Sequence, residues 1–529
     1  MNQPLRILFV FAWLGSGEDG EARLLSRHLP TDRYRIDIVA CFRKPMISEP
    51  SYEAPRALDV PVDTTPYHLS FEETIIYLAG IVPAYDIIVS CQNVADIYPA
   101  LESLIVRPPL IEHGRVVAHA EAGPKHLTAR YVGTSATIRD AAAARMPGRD
   151  ADAIYIPSMT AAPGEVIAAA WRALFDAVAA ETRRPAHRPV LFESFLQGGF
   201  ECSSHRRAID RARRDIITLS SHDIEVASDY RLLNTLGIRT IRDGVRWHLI
   251  EAQPGMRDWS SLDPMLAAAA NQGMEVIWDI MHYGWPDHID IWSPDFPARF
   301  ADFALAAAQR IAARTSAPHY FCAINEISFL SWAGGEVACM NPFARGRGTE
   351  LKVQLVRALL AAQRAIRGAL RQARFVVAEP IIHIVPHPER SEDTAEAHAR
   401  RHAQFEVVDM IAGRAWPQLG GDRRELDIVG LNHYPGSIWI HREAPIPRGD
   451  PGWRPLREML AEAYARTGRP LLLSETGCEG DERAEWFRYV TSEVSATMAK
   501  GIPVEGVCLY PAMGHVGWDD ERYCPNGII

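Results

Sequence analysis

At 529 residues the chain exceeds one ordinary domain, so two are expected. Its 47% hydrophobic and 23% charged content is that of a globular protein, and a net charge of −10 with interspersed signs offers no basic face to nucleic acid or an anionic membrane. The eight cysteines form no C-x-x-C pair and several sit in apolar runs, which points to reduced, buried thiols rather than a disulfide frame. In chain order, Arg6–Leu14 (RILFVFAWL) imitates an export signal. A glycine loop and an amphipathic helix follow it in place of a cleavage site, so it reads as a buried first strand. No apolar run reaches the length of a membrane span, and a cytoplasmic location is expected. Further strands are expected at Ile36–Ala40, Ile87–Ser90, Leu110–Glu112, Tyr131–Gly133 and Ala153–Ile156, after a first strand over Ile7–Ala12. Helices over Glu21–His28 and Ile138–Arg145 alternate with them, and an alanine-rich helix over Pro163–Glu181 closes the unit. The alternation predicts a Rossmann-like, doubly wound parallel-sheet domain over 1–182. The basic, proline-bearing segment 183–189 reads as a linker.

From 190 to 529, eight short apolar runs recur with helical segments between them. They are Val190–Leu196, Thr240–Trp247, Glu275–His282, His319–Glu326, Arg374–His383, Asp427–Tyr434, Pro470–Gly477 and Val504–Pro511. One intervening helix is announced by Ser293 as N-cap, followed by Pro294 and Asp295, with Phe296, Phe300, Phe303, Ala307 and Ile311 on one face. Another starts near Asp481, with Trp486, Tyr489, Val490 and Val494 facing inward. Eight strand–helix units predict a (β/α)8 TIM barrel, whose chemistry gathers at the carboxyl ends of its strands.

Those strand ends carry a distinctive set. Arg242, Arg246, Trp247 and His248 close the second, and His282, Tyr283 and Trp285 the third. Asn325 and Glu326 close the fourth and His383 the fifth. Asn432, His433 and Tyr434 close the sixth, Glu475 the seventh and Tyr510 the eighth. Flat aromatic faces beside convergent hydrogen-bonding groups are what a sugar requires. Two carboxylates, from the fourth and seventh strands, are the equipment of a retaining glycosidase, with Glu326 as general acid/base and Glu475 as nucleophile. Arg242 and Tyr434 are placed to keep Glu475 ionised, and Asn325 to bond the sugar's 2-hydroxyl. The expected carboxyl separation is about 5–5.5 Å. Metal chemistry is disfavoured because neither H-x-H nor H-E-x-x-H occurs, and no cofactor is expected. His205, His248, His383 and His433 could equally be core histidines. Trp259, Trp332 and Trp453 read either as sugar platforms or as loop anchors.

This half resembles clan A glycoside hydrolases, most of all family 1, the β-glucosidases and β-galactosidases. "IRDGVRW" (241–247) is similar to that family's second-strand arginine followed by tryptophan, and "HYGWPDHIDIWSPDFPARFADFA" (282–304) to its histidine-bearing loop and aromatic helix. "INEIS" (324–328) resembles the acid/base motif, "LNHYPG" (431–436) the sixth-strand tyrosine, and "SETG" (474–477) the nucleophile motif. The resemblance implies substrate contacts for His282, Trp247, Trp285 and Tyr510. It departs at "GGFECSSH" (198–205), where Glu201 or His205 stands in for a sugar-reading glutamine. It departs again at Tyr510, where tryptophan is usual, and at Trp518, which alone remains of a glutamate–tryptophan pair. These changes bear on which sugar is read, not on the reaction.

In the amino-terminal part, Gly15–Gly20 formally fits G-x-G-x-x-G. Glu18 and Asp19 would face a pyrophosphate, though, and the second strand runs into Cys41-Phe42-Arg43-Lys44 without an acid for a ribose, which argues against a dinucleotide. Segments 17–29, 108–114, 131–143 and 154–159 resemble the acceptor-side half of GT-B glycosyltransferases of family 4, with Ser158 and Met159 replacing the usual asparagine–glycine. The nucleotide-sugar half of that fold has no counterpart before the barrel begins. Together these readings predict a β-glycosidase acting on a small saccharide or glycoside. The alternatives are a transglycosidase with the same pair, a silent glycan-binding protein, or a glycosyltransferase. The amino-terminal domain is expected to bind a glycan or a further copy of the chain, or to serve structure alone.

Overall fold

The computed structural model describes residues 4–14, 20–42, 60, 62–158, 161–316 and 318–529. Residues 15–19 of the glycine loop, Arg43, Lys44 and Met159, all singled out above, lie outside the described residues.

The amino-terminal part is a seven-stranded, all-parallel sheet: β1 (Leu5–Phe11), β2 (Tyr34–Ala40), β3 (Val62–Asp63), β4 (Ile87–Cys91), β5 (Leu110–Gly114), β6 (Thr128–Gly133) and β7 (Ala153–Tyr155), ordered β3-β2-β1-β4-β5-β6-β7. Strand β3 escapes sequence reading because two residues cannot show alternation. β1 reads as an unbroken apolar run because both its faces are covered. Ile7, Phe9 and Phe11 pack with Trp171 and Phe175 of the helix Gly164–Thr182, and Leu8 and Val10 with Leu78, Ile97 and Leu101 on the other side.

The second part is a closed parallel barrel of β8 (Leu196–Gly199), β9 (Thr240–Gly244), β10 (Glu275–Asp279), β11 (His319–Cys322), β12 (Ala373–Pro380), β14 (Ile428–Asn432), β16 (Leu471–Thr476) and β17 (Val504–Leu509), paired in that order and back to β8. Outside it lie a two-stranded pair, β13 (His383–Val385) with β15 (Ile438–Ile440), and a carboxy-terminal antiparallel pair, β18 (His515–Val516) with β19 (Tyr523–Cys524). The first barrel strand starts later than the sequence suggests. Leu191 and Phe192 are apolar because they plug the barrel, packing on Ile277, Tyr320, Val376, Ile428 and Leu472. The N–H groups of Val190 and Leu191 donate to Glu505 Oε2 at 2.8 and 3.1 Å.

The helix Phe296–Ala312 buries Phe296, Phe300, Phe303, Ala307 and Ile311, as its spacing predicts. It starts three residues after Ser293, whose hydroxyl instead accepts the Asp295 N–H at 3.2 Å and closes the preceding turn. The sheet and the barrel meet through polar contacts. Lys500 pairs with Asp86 at 3.0 Å, Arg454 donates to the Gly80 carbonyl at 2.7 Å, and the Ala465 carbonyl accepts from Ile105 and Val106 at 2.8 and 3.0 Å. No described helix is long and apolar enough to cross a membrane.

Candidate active site

The two glutamates stand at the carboxyl ends of their strands in opposite company. Glu326 follows β11 in a left-handed conformation, φ 42°, which is uncommon for a non-glycine residue and is held by its N–H donating to the Ala378 carbonyl at 3.0 Å. Its Oε2 accepts the Tyr283 hydroxyl and its Oε1 the Asn432 amide at 2.8 Å. Both donors are neutral. Burial first, then repulsion from Glu475, push its pKa up to about 8.

Glu475, in β16, accepts the Arg242 guanidinium on Oε1 at 2.7 Å and the Tyr434 hydroxyl on Oε2 at 2.8 Å. Burial, helped by Glu201, leaves this carboxyl above its usual range too, although Arg242, His282 and Tyr434 pull it down. With only 8% and 5% of the two residues exposed, their partners are what distinguishes them. The cation beside Glu475 favours its ionised form, whereas the neutral donors on Glu326 favour keeping a proton there.

Arg242 is the hub. Fully buried, it forks onto Asp279 (Nε–Oδ1 3.0 Å, Nη2–Oδ2 2.9 Å) and donates to Asn325 Oδ1 at 2.6 Å as well as to Glu475. Because guanidinium only donates, the Asn325 oxygen must face it, which turns the Asn325 amide group toward His282 Nε2 (2.9 Å) and the Tyr283 oxygen (3.0 Å). Nε2 is then an acceptor and the His282 proton sits on Nδ1, 3.0 Å from Asp279 Oδ2. One arginine thus sets the orientation of an amide, an imidazole and a carboxylate. Burial opposes a charge on His282, but Asp279, Glu201 and Glu475 outweigh it and raise its pKa. Arg242, then His282, hold the Asp279 carboxyl below the usual range against burial.

A cavity of ≈ 370 Å³ adjoins the pair, lined by Glu201, Tyr434, Tyr510, Trp518 and residues of the carboxy-terminal segment, including His515, Asp519 and Arg522. Tyr510 lies over the Arg242 guanidinium at 5.5 Å, and Trp518 packs edge-on to Tyr283 at 5.5 Å. Glu201 accepts the Ser203 N–H at 3.0 Å and stands 3.9 Å from His282 Nε2. Arg242, His282, Asn325, Tyr434 and both glutamates therefore form one network, with Glu201, Tyr510 and Trp518 beside it.

Trp247 faces away from the network. It is buried against Phe296, Phe300 and Phe303, its Nε1 donating to Glu251 at 3.1 Å, because the short helix Trp247–Ile250 turns it away from the mouth. Trp285 is buried in the same hydrophobic cluster, which also holds Tyr283. His205 reaches the Trp518 carbonyl at 3.3 Å, whereas His248 pairs with Asp215, His383 accepts from Arg401 and His433 faces the Ile381 carbonyl.

Sequence reading gave no role to Tyr283 or Asn432, and Asp279 went unnoticed. A signal existed for the last: an aspartate inside the apolar run VIWDIM must find a buried partner, and the arginine inside TIRDGV supplies it. Cys202, Asp279 and His282 bring possible metal-ligand atoms within 4.8 Å of one another. Asp279 already serves the Arg242 fork, and a metal cation beside that guanidinium would meet its charge.

No family model matches the chain, and no curated protein matches it. Solved structures do. A β-glucosidase from Thermotoga maritima, in complex with glucoimidazole, is 16% identical over 64% of this chain and 93% of its own, with a TM-score of 0.53. The AHE enzyme from Alicyclobacillus herbarius is 18% identical over 65% and 94%, also at 0.53. A family 1 β-glucosidase from Thermotoga maritima is 15% identical over 64% and 93%, at 0.50. At such identities the likeness is one of fold: this chain carries a barrel of the kind that family 1 β-glucosidases use, together with a parallel-sheet part.

Proposed function

We propose that the protein is a retaining β-glycosidase working by double displacement. Glu475 attacks the anomeric carbon as Glu326 passes its proton to the departing glycosidic oxygen, so that bond breaks as the glycosyl–Glu475 ester forms. Glu326, now ionised, takes a proton from water, whose oxygen attacks the same carbon and releases Glu475. The single observation supporting this reading is the contrast between the carboxyls: one held by a guanidinium and a phenol, the other by two neutral donors and raised to about 8. The reading extends to the rest of the chain: residues 1–182 as an incomplete GT-B-like domain, 183–189 as a linker, and 190–529 as the hydrolase.

Mass spectrometry after incubation with 2-fluoro β-glycosides tests the assignment. Native protein should gain one glycosyl group on the peptide holding Glu475, and Glu475→Ala should gain none. Labelling that survives that substitution places the nucleophile elsewhere.

A further inference from the structure

A second groove, ≈ 460 Å³, lies away from the glutamate pair, at the start of the long helix Gly348–Ala369. Two tryptophans line it, Trp292 from the loop after β10 and Trp416 from the segment before β14, together with Thr349, Glu350, Gln354 and Arg357. None of these residues belongs to the network around Glu326 and Glu475.

Both indoles are held in place. Gln354, itself buried, donates its amide to the carbonyls of Ile291 (3.2 Å) and Ser293 (2.6 Å), clamping the loop on either side of Trp292. Trp416 has a left-handed backbone, φ 50°, rare for a bulky residue, and its Nε1 donates at 3.2 Å to Glu406, which Lys352 pairs in turn. The remaining groups are unspent or lightly held. Arg357 is exposed and makes no ion pair or hydrogen bond among the described residues. Arg347 covers Trp292 from 3.6 Å, and among the described residues its guanidinium pairs with Glu350, itself solvent-exposed, so an incoming ring can displace it.

We infer that this groove is a second saccharide-binding site, taking a neutral oligosaccharide whose C–H face stacks on Trp292 and Trp416 while Glu350 and Arg357 bond its hydroxyls. The inference rests on the glycosidase reading for its choice of ligand. The lining itself argues for a sugar over an apolar peptide: two fixed aromatic plates among amide, carboxylate and guanidinium groups serve a ligand with an apolar face and a polar rim.

The test is calorimetric titration of the full chain with cellotetraose and with its galactose counterpart. Native protein should bind at least one. Trp292→Ala/Trp416→Ala should weaken that binding about tenfold or more, while kcat/KM on a small aryl β-glycoside stays unchanged. Arg357→Ala, at an exposed position that leaves the fold alone, should weaken binding several-fold and keeps the test open if the double variant does not fold. Equal affinity in native and variant proteins, no binding of either tetrasaccharide, or a parallel loss of aryl-glycoside turnover would each overturn the second site. Aryl glycosides left intact while the tetrasaccharide still binds through the tryptophans would refute the glycosidase reading and support the groove.

Discussion

Glu326→Gln should make the protein more stable in base and not in acid. A carboxyl raised from 4.5 to about 8 is more readily ionised in the unfolded chain than in the native one. As pH climbs above about 4.5 the unfolded state releases this proton and the native state keeps it, so native stability falls until the folded group ionises near pH 8. At about 1.4 kcal/mol per pKa unit, the full displacement amounts to roughly 5 kcal/mol as a ceiling. Glutamine removes that loss. It also misplaces one donor against Tyr283 or Asn432, at a pH-independent cost of about 1–2 kcal/mol. The variant should therefore be equal or weaker at pH 5 and stronger by a few kcal/mol at pH 9. Urea unfolding followed by tryptophan fluorescence, run on both proteins at pH 5, 7 and 9, measures the difference, and the constant glutamine penalty drops out. A variant-minus-native difference that stays flat across this range would refute the claim that Glu326 holds the shared proton.

Arg242→Met should cost about 3–5 kcal/mol, because Asp279 and Glu475 would remain buried without their cation. Asp279, depressed in the folded state, contributes stability above its unfolded pKa that fades on acidification, so the variant's melting deficit should narrow below about pH 4; a deficit that widens there contradicts the pairing. Tyr434→Phe removes one of the groups that favour ionised Glu475, so the acid limb of the kcat/KM profile should move to higher pH and kcat/KM fall by about ten- to a hundredfold. An unmoved acid limb would deny Tyr434 that role. Trp247→Ala should lower stability by about 3–5 kcal/mol and leave KM of the folded protein unchanged, as expected of a side chain packed on Phe303 rather than on substrate. Proton NMR of the first-formed sugar should show the β anomer, and initial release of the α anomer would favour single displacement.

Much of this could be read along the chain because barrel strands are buried on both faces, so each leaves an apolar run that breaks where a polar residue meets the mouth. Glu326 and Glu475 stood at two such breaks, and Arg242, His282 and Tyr434 at others. Trp247 shows the limit: it occupies the same kind of break, yet one further turn of backbone directs its ring into the Phe296, Phe300 and Phe303 stripe. Side-chain direction past a strand end depends on loop dihedrals that residue type does not encode. Leu191 and Phe192 show another: a plug and a strand are equally apolar, and only closure of the ring tells them apart.

By itself the sequence determined that strands and helices alternate into a parallel sheet and a closed barrel, because periodicity and burial are local properties. The tertiary structure alone gave the two carboxyls their different partners. That depends on a guanidinium from β9 meeting Glu475 rather than Glu326, a contact between residues 233 positions apart whose energy exists only once the ring has closed.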